Sequence, residues 1–210
     1  QEPPSRPKWV PGAGGLCLHT IILDPDNVDR YAVGISAAGY FRTDDGGATF
    51  DRKIDGLPRD WTLASLPKEM QEQFAVNYDP DEDHCVHKVV QDGTDPATQY
   101  MQHHVGVFRS RDNGQSWQDI ADGLPESFGF PIASHPRKAG MLWLIPNQSG
   151  EFRTRSTGAF EVYKSENGGD NWRAVTDGLP QENAYVTTLR ESMTVDNANP
   201  LGLYVGTKGG

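Results

Sequence analysis

Two short segments carry the residues best suited to chemistry: Cys17-Leu18-His19 and Cys85-Val86-His87, 68 residues apart, with His103-His104 after the second. Alternate residues of a strand share a face, so each cysteine would stand beside its histidine. Thiolate and imidazole together suit zinc or copper. Cys17, His19, Cys85 and His87 are therefore the candidate metal ligands, for a transition metal that nothing in the sequence requires. Two small buried cysteines, with their imidazoles hydrogen-bonded at a channel wall, would give the same spacing. His19, His87 and His103 are also candidates for substrate contact, and His104 for acid–base work.

Carboxylates form a second set. Glu151 lies in the stretch 147–159 beside Phe152, Arg153 and Arg155, which could stack on a sugar and contact an anion. Glu151 is the candidate catalytic acid and Arg153 a candidate substrate contact. Glycoside hydrolysis needs a protonated carboxyl group and an ionised partner at a fitting separation. Asp81-Glu82-Asp83 reads as a solvated run, and Glu182 adjoins the last repeat. No phosphate-binding glycine loop, nucleophile elbow or zinc-finger spacing is present.

The elements that must hold these residues are written in a repeat. Thr43, Asp45, Gly47 and Phe50 recur as Ser110, Asp112, Gly114 and Trp117, and again as Ser165, Asn167, Gly169 and Trp172. Six residues beyond each aromatic stands Gly-Leu-Pro, at Gly56, Gly123 and Gly178. The Asp or Asn can accept hydrogen bonds from the turn, the Gly permits a positive φ, and the aromatic is expected to pin the hairpin to its own blade. These are structural duties, so the repeated carboxylates are not read as catalytic. Arg42 and Arg109, just before the motif, are weak candidates for a carboxylate clamp.

Around each motif the apolar runs predict four short strands: 16–23, 31–36, 39–43 and 50–54 in the first unit; 84–90, 99–103, 106–110 and 117–120 in the second; 130–134, 141–145, 160–164 and 172–175 in the third. A fourth unit is expected from Ala184–Leu189 and Gly202–Gly206. Units of this kind at a period of 55 to 67 residues predict an all-β fold, a β-propeller of four-stranded antiparallel blades. The organisation is an N-terminal loop over 1–15 and about three and a half blades at 16–58, 84–125, 129–180 and 184–210. Such an array leaves faces open, so the remaining blades are expected from a longer parent chain or another chain.

The motif resembles the Asp-box, or BNR repeat, of sialidase-like β-propellers, fully at Ser110, Asp112, Gly114, Ser116 and Trp117 and nearly so at Thr43, Asp45, Gly47, Thr49 and Phe50. The third copy departs from it at Asn167 and Asn171. With Pro11–His19 and Gly129–Pro136, the chain is similar to bacterial BNR-repeat glycosyl hydrolases. That resemblance implies a carbohydrate ligand and a glycoside hydrolase, with a non-enzymatic binding or assembly propeller as the alternative. An Arg-Ile-Pro segment typical of sialidases is absent.

The net charge of −10 argues against nucleic acid and anionic membrane as partners. No apolar run approaches a membrane span. Gln1–Pro7 holds neither an initiator Met nor signal-peptide features, so the sequence is expected to begin after processing or partway into a longer protein. Two cysteines suit a reducing compartment, which favours the cytoplasm.

Overall fold

A computed structural model describes residues 9, 15–59, 67–69, 71 and 84–209. Most of the expected 1–15 loop, the Asp81-Glu82-Asp83 run and the aromatics Trp61, Phe74 and Tyr78 lie outside the described residues.

The chain is an all-β propeller. The first blade comprises β1 (Leu18–Leu23), β2 (Tyr31–Ile35), β3 (Gly39–Thr43) and β4 (Asp51–Arg52). The second comprises β5 (Val86–Gln91), β6 (Gln99–His103), β7 (Gly106–Ser110) and β8 (Gln118–Asp119). The third comprises β9 (Gly129–Ser134), β10 (Leu142–Pro146), β11 (Val162–Ser165) and β12 (Arg173–Val175), and β13 (Met193–Val195) pairs with β14 (Leu203–Val205). Each four-stranded sheet is an antiparallel meander in chain order. Among the described residues no helix is long and apolar enough to cross a membrane.

Three of the apolar clusters bridge neighbouring blades, while Val33, Ala38 and Phe41 cluster within the first. Ile22, Ala32 and Tyr40 of the first blade meet Val86, Val89, Met101 and Trp117 of the second. Tyr100, Val107 and Ile120 meet Ile132, Leu142 and Leu144, and Trp143, Ile145 and Val162 meet Met193. Fully burying an aliphatic or aromatic side chain contributes about 1.5–3 kcal/mol, so each seam stabilises two blades together. The inner strands β1, β5, β9 and β13 consequently lie side by side.

One expectation needs correction and another needs extending. Residues 184–189 form no strand, and the last unit begins instead at Met193. Asn183 and Tyr185 have φ of 54° and 42°, which breaks the extended backbone a strand requires. The motif aromatics Trp117 and Trp172 lie in clusters that include their own blades, and they also reach the preceding one. Trp117 packs edge-on against Tyr40 at 5.3 Å and donates from Nε1 to the Lys53 carbonyl at 3.3 Å, and Trp172 donates to that of Ile120 at 2.8 Å. Phe50 meets Tyr31 of its own blade.

Candidate functional site

The repeated hairpins are closed hydrogen-bond systems. Asp45 accepts from the Thr49 amide at 2.9 Å and hydroxyl at 2.7 Å, and Asp112 accepts from the Ser116 amide at 3.0 Å and hydroxyl at 2.6 Å. In the third copy Asn167 keeps the amide bond from Asn171 at 3.0 Å, while both the second carboxylate oxygen and the hydroxyl it would bind are absent. Arg42 and Arg109 are inter-blade clasps. They donate to the carbonyl of Asn113 at 3.3 Å and of Gly168 at 2.8 Å, at equivalent places in the next hairpin.

Lys164 occupies the same position in the third blade and lines a groove of about 630 Å³ with His135, Arg137, Lys138 and Trp143. The corresponding space beside Arg109 is about 280 Å³ and is bounded by Asn167 and Gly168. The larger groove therefore repeats the seat of a neighbouring hairpin.

The imidazoles and the thiol singled out in the sequence gather near the N-terminal ends of β5 and β9, away from the hairpins. The pairing of β5 with β6 shifts register between Val86 and Lys88, so His87 occupies a β-bulge, a device that re-aims a side chain. His19 occupies the same bulge in β1. Each imidazole crosses to the next inner strand: His19 Nε2 donates to the Val86 carbonyl at 2.7 Å, and His87 Nδ1 to that of Gly129 at 2.6 Å. Burial pushes the His19 pKa down to about 4 and that of His87 to about 3, so both rings are neutral at pH 7.

The last rung of the same sheet joins the His104 amide to the Cys85 carbonyl at 3.0 Å. Directly opposed residues of an antiparallel pair hold their Cβ atoms about 5 Å apart. Cys85, His87 and His104 thus converge, with donor atoms all within 4.8 Å of one another. Cys17 and His19 stand outside this group. Cys17 is exposed, and both His19 nitrogens are engaged, since the Thr20 hydroxyl donates to Nδ1 at 2.9 Å. His103 is fully buried against His84 and Phe108 and is therefore a core residue rather than a pocket residue.

Phe128 packs edge-on against His87 and His104, and Phe130 stacks on His87 at 4.6 Å. Two guanidinium groups lie over the Phe130 ring, Arg153 at 5.2 Å and Arg190 at 5.5 Å. Burial, then the charge of Arg153, lowers the His104 pKa. The 147–159 insert reaches this cluster through Gly150, where a Cβ would stand 3.4 Å from His104 Cε1. Glu151 and Phe152 are exposed, and the Glu151 amide is held by the Ser149 hydroxyl at 3.3 Å. Arg155 turns away and is buried between Glu126 and Glu161, the latter at 2.8 Å, anchoring the insert. Phe128, Phe130 and Arg190 were not identifiable as site residues from the sequence. They belong to no repeated motif, and the bulge that aims His87 towards them leaves no mark in residue type.

No protein-family model matches the chain, and no curated protein matches it. Among solved structures it is similar to an ancestral GH74 enzyme, with a TM-score of 0.57 and 19% identity over 86% of this chain and 23% of that one. It is also similar to the extracellular domain of a protein described as a one-component system from B. thetaiotaomicron, with a TM-score of 0.52 and 14% identity over 93% of this chain and 20% of that one. The chain therefore spans less than a quarter of the length of either structure. Both likenesses are of fold alone, and on that ground the chain is a β-propeller.

Proposed function

We propose that the N-terminal ends of β5 and β9 bind an acidic carbohydrate, with Arg153 and Arg190 holding its carboxylate. One observation carries this reading. In a chain of net charge −10, two guanidinium groups converge on a single aromatic ring, and among the described residues neither is ion-paired. Guanidinium forks suit carboxylates, and the exposed Phe152 offers an apolar face for a sugar ring. The resemblance of the hairpins to Asp-boxes of sialidase-like propellers, and the fold likeness to a GH74 enzyme, support the ligand class.

Calorimetric titration of the full-length protein with uronate-containing and neutral oligosaccharides tests the proposal. Binding of the acidic set alone, weakened about 10- to 100-fold in Arg153→Ala and Arg190→Ala, is expected for lost charge-assisted hydrogen bonds. Equal affinity for neutral sugars, or none for either set, would overturn it, and the second result would favour a protein-assembly propeller. Hydrolysis is the second reading, favoured by Glu151 lying two residues from Arg153 in the same loop. Undiminished turnover by Glu151→Gln would remove that residue from the mechanism.

A further inference from the structure

We infer that Cys85, His87 and His104 form a transition-metal site, and that zinc is the ion their chemistry fits best. The backbone brings these donors together by two independent devices. Cys85 and His104 share the final rung of the β5–β6 ladder, and the bulge at position 87 swings its imidazole to them. The three donor atoms lie within 4.8 Å of one another. Bond lengths of about 2.0–2.3 Å around tetrahedral zinc place ligand atoms about 3.3–3.6 Å apart. Side-chain rotation of about an ångström closes that difference.

The surroundings of His87 are those of a ligand. Its Nδ1–H is held by the Gly129 carbonyl, which fixes the tautomer and leaves Nε2 as the lone-pair nitrogen. A metal-bound histidine almost always makes this kind of outer hydrogen bond. Because Gly129 belongs to β9, the site would tie the second blade to the third. Phe128 packs against both imidazoles and supplies the apolar wall that limits their motion. One thiolate and two imidazoles form a donor set for zinc or copper, whereas magnesium and calcium prefer oxygen. Three protein donors leave a fourth position open, and the Arg153 and Arg190 guanidiniums nearby would favour an anion there.

The test uses full-length protein purified without chelators, loaded with zinc, freed of excess ion and analysed for metal, with no glycan present. About one equivalent is expected in the wild type and in Cys17→Ser, falling below about a tenth in Cys85→Ser and His104→Ala. Cobalt substitution should give a thiolate-to-metal charge-transfer band that Cys17→Ser keeps and Cys85→Ser loses. If the Cys85 variant does not fold, the cobalt spectra of the wild type and Cys17→Ser decide, because a sulfur-bound spectrum in both assigns the ligand to Cys85. Less than about a tenth of an equivalent in the wild type would overturn the inference. So would full zinc in a folded Cys85→Ser, or loss of zinc in Cys17→Ser. Glycan titration is a separate measurement, so failure here leaves the carbohydrate reading standing.

Discussion

Asp45 holds its carboxyl pKa down to about 2, chiefly because the Thr49 hydroxyl donates to it, with the Thr49 amide and Thr43 hydroxyl adding to the effect. Asp112 is lowered as well. Burial opposes the shift, and the Ser116 hydroxyl and amide outweigh it. An unperturbed Asp titrates near about 3.9, so the stabilisation is fully present above that pH and is lost as pH falls through the folded value. Asn167 has no such proton. Amide hydrogen exchange between about pH 4 and 2 should therefore show Thr49 and Ser116 losing protection relative to Asn171. Parallel behaviour of all three amides would contradict the assigned role. Arg155 offers a second test at this scale. Replacing it with Met leaves Glu126 and Glu161 facing each other without their cation, and urea unfolding should register a loss of about 3 kcal/mol. A change within about 0.5 kcal/mol, typical of an ordinary surface substitution, would contradict the anchor.

The first Gly-Leu-Pro segment is a seat for the next blade, where the Trp117 amide donates to the adjoining Asp55 carbonyl at 2.9 Å. Gly56 has φ of 81°, and a Cβ there would overlap the Trp117 carbonyl, whereas Gly123 has φ of 85° with open space around it. Gly123→Ala should therefore cost about 1–2 kcal/mol from backbone strain alone. Gly56→Ala should cost about 2 kcal/mol more, as the seam is overpacked. Equal losses in denaturant titrations would show that the seat does not bear on Trp117. The strand order was readable in the sequence because the hairpin motif recurs with its flanking apolar runs, and β3, β6 and β7 fall at their expected bounds. The cross-blade partners of Trp117 and Trp172 were not readable, because no local pattern identifies residues of the preceding blade. The last unit was displaced because the positive φ at Asn183 and Tyr185 comes from tertiary packing, with Tyr185 lying against Gly158. For the candidate site, the Cys-x-His spacing pointed to Cys85 and His87. Their separation from Cys17 and His19 depends on which imidazole nitrogen is already engaged, a fact of geometry alone.

Across the molecule, stability and ligand chemistry occupy different regions. Hairpins and clasps join the blades, while Arg153, Arg190, His87, His104 and Cys85 gather near the N-terminal ends of β5 and β9. The array also has an open side. Leu18 and Ile21 are 52% and 58% exposed, while Val86 and Val89, at the same positions of the next blade, are buried against the first. The division of labour is tested most directly by acidic-glycan affinity and thermal stability measured together on the wild type, Arg190→Ala and Asp112→Ala. Arg190→Ala is expected to lose about 10-fold or more in affinity with its melting temperature nearly unchanged. Asp112→Ala should melt several degrees lower while still binding as the wild type does, since its loss falls on a hairpin remote from the ligand. Wild-type affinity in Arg190→Ala, or lost affinity in a folded Asp112→Ala, would contradict the account.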